Sequence, residues 1–403
     1  PGRPVFNHFL RAENIAALSC VDHVFVAHTD TAIKSISSIK PSFYAKGSDY
    51  KNHDKDLTNN IRKEINEVKK NGGDIFYTDE ITFSSSNLLN DHFNQFSPQL
   101  KDFLSLIKMK YSFESVVKEI DNLENLKVLV IGDAIIDEYN YVHPLGQTGK
   151  GGVLSVAHKS SETFAGGSLA VANHVSNFVK NVDLITGVSN NEDDEFFIRS
   201  SISKNIKPVL HKLFKSTLRK TRFLDEELLR FFEIYYYDGN IDLDEKNSSK
   251  IIKTLKNRIS TYDLVIATDF GNGFFNQTIR NFLSDNAKFL AVNTQINSAN
   301  RGYHSINKYK RADFISLNEP EARLAVHDNT SPIELVADII QKKICKSNFF
   351  TITRGSKGIF SISKKPKKFI YQPAFTHDVV DRVGAGDAYL SISSLVLSKN
   401  NDL

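Results

Sequence analysis

Short apolar runs alternate with helical patterns along residues 127–403, and this alternation restricts the chain to few folds. Strands that alternate with helices pair in parallel, because each helix carries the chain back across the sheet. The strand-bearing stretches are KVLVIGD (127–133), VDLITGVS (182–189), YDLVIATDFG (262–271), AKFLAVNTQ (287–295), ADFISLNEPEARLAV (312–326) and NFFTITRGSKGIFSI (348–362). We therefore predict an α/β fold with a mostly parallel sheet and helices on both of its faces.

Two stretches depart from this pattern, one between the first strand and Gly166 and one over residues 215–237. Apolar and aromatic residues there recur closer to every second position, which is typical of short, half-buried strands. We predict that these strands form a small β lid with the substrate beneath it.

The N-terminal part contains strand and loop pieces of its own, such as IAALSCVDHVFV at 15–26. These pieces predict a small α/β fragment. Residues 91–126 are polar with two helix-like patches, and we interpret them as a helical connector. The predicted domains are residues 1–90, 91–126 and 127–403.

Composition favours small-molecule partners. The length of 403 residues suggests two globular units, and the 40% hydrophobic and 24% charged residues are typical of soluble globular chains. The net charge of +4 is spread without a basic run, so we expect neither nucleic acid nor membrane as a partner.

Cysteine usage and the ends of the chain give two further expectations. Cys20 and Cys345 are far apart and have no CxxC or zinc-site neighbours, which fits a reducing, cytoplasmic compartment. No apolar stretch of about 18 residues and no signal peptide occurs. The chain starts at Pro1 and its only methionine is Met109, so we expect the natural start to be missing.

The stretch DRVGAGDAYL, residues 381–390, places a glycine turn in front of an apolar run. Gly384, Ala385 and Gly386 allow a tight turn before a helix, which leaves free backbone N–H groups facing outward. Such a helix N-terminus attracts phosphate oxygens, and Asp387 in the first turn would meet an incoming hydroxyl there. The alternative is a helix cap with a first-turn acid, worth about 1 kcal/mol of stability. Local physics leaves both interpretations open.

The pattern D-x-x-G-A-G-D resembles the C-terminal signature of the ribokinase-like carbohydrate kinases, and other pieces follow that family's order along residues 127–387. The resemblance implies a ribokinase-like fold and transfer of the γ-phosphate of MgATP to a sugar hydroxyl. It implies Asp387 as the general base and the backbone of residues 384–386 as the anion hole. ATP and Mg²⁺ are the implied cofactors.

The sugar-binding residues follow from the same resemblance. GDAIID ends at Asp137, which resembles the family's acid for sugar hydroxyls, and AGG supplies the glycine pair Gly166 and Gly167 beside the sugar. Asn173 follows on the same helix as a further implied ligand. The family usually places its asparagine three or four residues after the second glycine, where this chain has alanine and valine, so the sugar is left open.

LRKTRF, residues 218–223, resembles the lid segment of the heptose 7-phosphate kinases in this family. The resemblance implies that Lys220 and Arg222 face a substrate phosphate, whereas the alternative is a solvated strand edge. It implies phosphorylation of a hydroxyl, most simply the anomeric one, of a sugar phosphate such as a heptose 7-phosphate, in nucleotide-sugar precursor synthesis.

The nucleotide-side residues are implied by three further motifs. SLNEPE resembles the family's N-x-x-E, in which Asn318 and Glu321 act through water on magnesium and the ATP phosphates, a task suited to oxygen ligands. TRGSKG resembles the turn that places Thr353 and Gly355 near phosphate or ribose. Asp269 in TDFGNG follows a strand where related heptose kinases carry an acid, and a contact with phosphate or metal is the hypothesis. An ordinary helix N-terminus and an ordinary hairpin turn are the alternatives.

The N-terminal fragment resembles the later part of a cytidylyltransferase-like domain, through GRPVFNHFLRAENIAALSCVDHVFV, KPSFYAKGSDY and FSSSNLL. The resemblance implies that Lys46, Gly47, Ser84, Ser85 and Ser86 line nucleotide phosphates, whereas surface loops are the alternative. That family's H-x-G-H motif does not occur in the chain, so we expect this half to be inactive as given.

The combination resembles bifunctional heptose kinase/nucleotidyltransferases with the domain order reversed, and we expect both ends of the chain to be clipped. Two other functions stay open: nucleotidyl transfer as the principal activity of the intact protein, and a non-catalytic sugar-phosphate binding module. Exposed lid edges predict a homodimer through the lid.

Overall fold

The computed structural model contains two compact units, residues 1–95 and 96–403. The structure describes residues 7–27, 29, 31–47, 50, 60–78, 96–149, 151–239, 242–300, 302–364, 366–376, 379 and 383–400.

The first unit contains a parallel strand pair joined through a helix. Its elements are α1 (His8–Ala16), α2 (Ile33–Ile39), β1 (Phe43–Gly47), α3 (Asn60–Lys70) and β2 (Asp74–Thr78). Strands β1 and β2 pair in register from Phe43 opposite Asp74 to Gly47 opposite Thr78. Helix α3 buries Ile61 and Val68. The resemblance of this unit to a nucleotidyltransferase stays a prediction.

The second unit is built on a large sheet in which the strand order is β14-β13-β12-β11-β10-β9-β3-β5-β6. Its strands are β3 (Val128–Gln147), β4 (Leu154–Gly167), β5 (Val182–Val188), β6 (Ile206–Lys212), β7 (Arg219–Leu224), β8 (Arg230–Tyr236), β9 (Leu264–Asp269), β10 (Leu290–Thr294), β11 (Phe314–Asn318), β12 (Phe349–Thr353), β13 (Ile359–Lys364) and β14 (Lys367–Gln372). Neighbours from β6 to β12 pair in parallel, whereas β13 and β14 are antiparallel. The predicted mostly parallel sheet is confirmed.

Helices cover both faces of this sheet. The helices that the structure describes in the second unit are α4 (Pro98–Lys110), α5 (Phe113–Asp121), α6 (Ser168–Ser176), α7 (Glu192–Ser201), α8 (Glu245–Leu255), α9 (Gln277–Asn286), α10 (Glu319–Val326), α11 (Ile333–Ile339) and α12 (Ala385–Asn400). Val128 and Val130 of β3 pack in one core with α6, α7 and α12, and Leu129 and Ile131 pack in the other with α8, α9 and α11. Alternate residues of a strand point to opposite faces, which explains why these strands are apolar throughout.

The later part of β3 belongs to a separate lid sheet. Residues 128–133 of β3 pair with β5, and residues 134–147 pair with β4 instead. Residues 136–141 also pair with β7, which pairs with β8, so the lid order is β4-β3-β7-β8. The predicted lid is present. The apolar run that located the first strand covers only its main-sheet part, and the strand continues to Gln147 because it serves both sheets.

The helix-like patches of the predicted connector are the helices α4 and α5, within the second unit. The three domain boundaries stay a prediction. Among the described residues, every helix is too short or too polar to span a bilayer.

Candidate active site

The glycine turn lies at the start of α12. Gly384 has φ +78°, and the Ala388 N–H donates to its carbonyl oxygen at 2.9 Å. Within the described residues, no atom lies within 4 Å of the position that a Cβ would take on Gly384 or Gly386. The first N–H groups of a helix have no acceptors inside it, so this turn presents donors to open space.

Asp387 lies half-buried in the first turn of α12. Burial and the negative charge of Asp137 raise the pKa of Asp387 to about 7, and the nearby Lys220 opposes this shift. A carboxyl group with a near-neutral pKa suits proton transfer at physiological pH. The structure therefore brings Asp387, Asp137 and Lys220 into one electrostatic environment.

The inner face of the lid supplies the other charged groups. In the register of β3 and β7, Asp137 lies opposite Lys220, and Tyr139 lies opposite Arg222. The Arg222 guanidinium donates to Asp137 Oδ1 at 2.6 Å, and its Cζ lies 5.2 Å from the centre of the Tyr139 ring. A two-residue repeat along paired strands places all four side chains on one face.

Lys220 is a buried cation, 5% exposed, with its Nζ 5.3 Å from the centre of the Tyr235 ring. No carboxylate of the described chain lies within 4.0 Å of its ammonium group. Burial lowers the pKa of Lys220, and the field of Asp137 opposes that shift. A buried cation without an ionic partner favours an anionic ligand.

The glycine pair lies against the acid of β3. A Cβ on Gly166 would overlap Asp137 Oδ2, and Gly167 has φ +61° where α6 begins. Any larger residue at position 166 would push the Asp137 carboxylate out of place. This close approach explains the AGG sequence.

Asn173 does not join this group. Its carboxamide donates to the Ser201 carbonyl at 2.9 Å and accepts from the Ser203 N–H at 3.0 Å. It lies six residues beyond Gly167, or about 240° around a helix, and so faces away from the glycine pair. We correct its assignment from sugar ligand to a contact between α6 and the end of α7.

Asp269 is enclosed by protein. Its carboxylate accepts from Arg280 Nε at 2.7 Å and from the Tyr309 hydroxyl at 3.0 Å. Burial acts to raise the pKa of Asp269, but His304 and Arg280 lower it below its usual range. Because these groups occupy its oxygens, the hypothesis of a contact with phosphate or metal is corrected to a structural role below the sheet edge.

Asn318 and Glu321 form a capping box at the start of α10. Glu321 accepts from the N–H of Asn318 at 2.9 Å and from the N–H of Ile296 at 3.3 Å. Burial and the charge of Asp387 raise the pKa of Glu321 to about 7, and the bonds from Asn318 oppose this shift. These bonds are those of an ordinary helix N-terminus, the alternative that the sequence left open. The negative charge of Asp387 also acts on the Glu321 carboxyl group. A role toward magnesium stays a prediction.

Thr353 and Gly355 lie at the same edge of the sheet. Thr353 is opposite Asn318 in the register of β11 and β12, and Gly355 has φ +58° in the exposed turn that follows. Their contact with a nucleotide stays a prediction.

In the first unit, Lys46 forms an ion pair with Glu64 at 3.0 Å and lies against the rings of Tyr44 and Tyr50. Its ammonium group is therefore already paired, and its contact with nucleotide phosphates stays a prediction. Gly47 ends β1. Ser84, Ser85 and Ser86 lie outside the described residues.

Three residues of the lid face were not predicted. Glu233 accepts from Arg222 Nε at 3.2 Å and from the Tyr235 hydroxyl at 3.0 Å, and Tyr139 supports the guanidinium. A signal exists in the sequence, because Glu233 interrupts the aromatic run RFFEIYYY. Its contacts depend on strand register, which the sequence does not give.

A turn with outward N–H donors, a carboxyl group of near-neutral pKa and buried lid cations at the edge of a parallel sheet are the features expected of a phosphotransferase. The chain belongs to the pfkB family of carbohydrate kinases, because the model of that family matches residues 125–403. It is therefore a sugar kinase.

Curated relatives are bifunctional proteins named HldE. The protein from Aliarcobacter butzleri is 25% identical over 282 residues, which cover 68% of this chain and 57% of the relative. The protein from Helicobacter hepaticus is 25% identical over 286 residues, with 69% and 57% covered. The chain thus matches little more than half the length of these relatives.

Solved structures confirm the ribokinase-like fold. Phosphofructokinase-2 from Escherichia coli, in complex with substrates and products, superposes with a TM-score of 0.54 at 12% identity, covering 69% of this chain and 88% of that one. Ribokinase from Thermotoga maritima gives 0.50 at 18% identity, with 68% and 86% covered.

Proposed function

We propose that the chain transfers the γ-phosphate of ATP to a hydroxyl group, the anomeric one, of a sugar phosphate such as a heptose 7-phosphate. The observation that carries this proposal is the pair of buried cations, Lys220 and Arg222, on the lid face that also bears Asp137. Two cations on one face suit a phosphorylated acceptor better than a neutral sugar. The resemblance of LRKTRF to the lid segment of heptose 7-phosphate kinases supports the same class of substrate.

In the proposed mechanism, Asp387 accepts the proton of the attacking hydroxyl, and Asp137 holds the sugar by a neighbouring hydroxyl. The N–H groups of residues 384–386 stabilise the negative charge that develops on the transferred phosphoryl group. Positioning and electrostatic stabilisation provide most of the acceleration in such transfers. The glycine pair keeps Asp137 in place, because a side chain at Gly166 would displace it.

The nucleotide site fits its ligands by its donor set. The turn at Gly384 offers N–H groups to phosphate, and Asn318 and Glu321 offer the oxygen atoms that magnesium prefers. We propose that Asn318 and Glu321 hold magnesium through water, and that Thr353 and Gly355 lie beside the nucleotide. When bound, magnesium supplies positive charge next to the phosphates.

A bell-shaped pH profile is expected. Burial and Asp137 raise the pKa of Asp387 to about 7, so kcat/KM falls about tenfold for each pH unit below that value as the base becomes protonated. The alkaline limb lies below the usual range of lysine, because burial lowers the pKa of Lys220 and its charge is lost on deprotonation. The measurement is kcat/KM across pH, and Lys220→Arg is expected to remove only the alkaline limb. A flat profile would contradict the assignment of both groups.

The experiment that tests the proposed function is ADP release from MgATP with a panel of acceptors. The panel contains heptose 7-phosphates, fructose 6-phosphate and ribose. Release that is specific to a heptose 7-phosphate supports the proposal. ADP release with ribose alone would show that the acceptor is an unphosphorylated sugar. No ADP release with any acceptor would favour a binding module or activity of the nucleotidyltransferase half.

We also propose a homodimer through the lid. The outer face of β8 exposes Phe232, Ile234 and Tyr236, which alternate with the inward-facing Glu233 and Tyr235. A second copy of the chain would cover these apolar side chains and the open lid edge. Light scattering is expected to give the mass of a dimer, and Ile234→Lys that of a monomer. A monomeric wild-type protein would contradict this arrangement.

A further inference from the structure

The acid that is proposed to hold the sugar is already occupied. Asp137 Oδ1 accepts a hydrogen bond of 2.6 Å from Arg222, and the two side chains are only 12% and 8% exposed. The other oxygen, Oδ2, faces the backbone of Gly166, where no Cβ would fit. In this arrangement Arg222 holds the oxygen that an acceptor hydroxyl would use.

The contact is a built feature of the lid. Glu233 Oε1 accepts from Arg222 Nε at 3.2 Å, and the Tyr139 ring lies under the guanidinium. The guanidinium is therefore fixed through Nε and Nη1 on two carboxylates. The bond from Nε to Glu233 remains when the bond from Nη1 to Asp137 breaks. The guanidinium can therefore change its partner at Nη1 without leaving the site.

A second cation, Lys220, lies near Arg222 on the same strand. Lys220 lies two residues before Arg222 on β7, is buried, and has no carboxylate of the described chain within 4.0 Å of its ammonium group. An acceptor phosphate that binds Lys220 arrives next to the guanidinium. It can then replace Asp137 as the partner of Arg222.

Charge balance favours such an exchange. Breaking a buried ion pair without replacement leaves both charges unpaired, which is strongly unfavourable. A phosphorylated sugar replaces both hydrogen-bond partners at once, since its phosphate pairs with Arg222 and its hydroxyl donates to Asp137. The charge of Asp137 is then opposed by Lys220, which lies opposite it in the strand register. A sugar without phosphate offers no anion to Arg222, so Asp137 stays occupied.

We propose that Arg222 is a specificity-determining residue that exchanges Asp137 for the acceptor phosphate, and thereby frees Asp137 for the sugar only when the acceptor is phosphorylated. This inference rests on the proposed function. It goes beyond phosphate binding, because it couples the phosphate subsite to the sugar subsite.

The first test uses the wild-type chain with free heptose as the acceptor, with and without inorganic phosphite. Phosphite can occupy the phosphate subsite separately from the sugar. We expect it to raise kcat/KM for free heptose about tenfold, within the usual range of coupling between two sites. Turnover of heptose 7-phosphate without any activation of free heptose by phosphite would overturn the inference and leave the proposed function standing. No turnover of heptose 7-phosphate would overturn both.

The second test is Arg222→Met, with Arg199→Met as a control for loss of an exposed arginine. Arg222→Met is expected to lower kcat/KM for heptose 7-phosphate, to raise kcat/KM for free heptose at least about threefold, and to abolish activation by phosphite. Opposite changes in kcat/KM for the two acceptors would identify the coupling. Loss of a residue that only bound phosphate would leave kcat/KM for free heptose unchanged. An unchanged or lowered kcat/KM for free heptose would overturn the inference.

Discussion

Asp387→Ala is expected to lower kcat by about 10²- to 10⁴-fold, the usual range for a lost general base. Asp387 has a near-neutral pKa because burial and Asp137 raise it to about 7. Its removal takes away the proton acceptor while the N–H groups of the glycine turn remain. We therefore expect the dissociation constant of ATP, measured by calorimetry, to stay near the wild-type value.

Two variants sharpen this result. Asp387→Asn keeps the shape of the side chain but cannot take up the proton, so it should be as slow as Asp387→Ala. Asp285→Ala removes an exposed acid of α9 and should leave kcat unchanged. A wild-type rate in Asp387→Ala would show that the base is assigned wrongly.

Lys220→Met is expected to reduce kcat/KM for heptose 7-phosphate by about 10²-fold or more, the range for loss of a buried partner of a charged ligand. At a pH above the acid limb, where Asp387 is ionised in both proteins, the turnover of free heptose should change little, because it has no phosphate to meet this cation. The midpoint of thermal unfolding should not fall, since it is unfavourable to bury an ammonium group that has no carboxylate of the described residues within 4.0 Å.

The comparison of acceptors is the informative part of this experiment. Lys220→Arg keeps the positive charge and should retain much of the activity toward heptose 7-phosphate. An equal loss for heptose 7-phosphate and free heptose in Lys220→Met would place Lys220 outside the phosphate subsite.

The main sheet was predictable because its strands are buried on both faces. Val128 to Ile131 alternate between two cores, so the run is apolar throughout and easy to locate. The length of β3 was not predictable, since nothing in AIIDEYNYV shows that the strand changes partners after residue 133. The length of β3 depends on its pairing with β4 and β7, which the sequence of β3 itself does not show.

Part of the candidate site was named from sequence motifs. Asp387, Lys220 and Arg222 were chosen in this way, and the structure places them in one charged environment with Asp137, while their roles stay predictions. Asp269 was misassigned because its partner Arg280 is eleven residues further along, on a helix whose orientation the sequence does not give. An acid such as Asp269 can serve either in a ligand site or in a structural ion pair, and only its neighbours in the folded chain distinguish these two roles.

Phosphorus NMR of the product formed from heptose 7-phosphate and MgATP can show whether this chain phosphorylates the anomeric hydroxyl with Asp387 as the base. We expect a heptose bisphosphate in which the new phosphorus couples to the anomeric proton, formed by the wild-type protein and not by Asp387→Ala. Phosphorus on another carbon, or ADP and free phosphate without a new sugar phosphate, would contradict it.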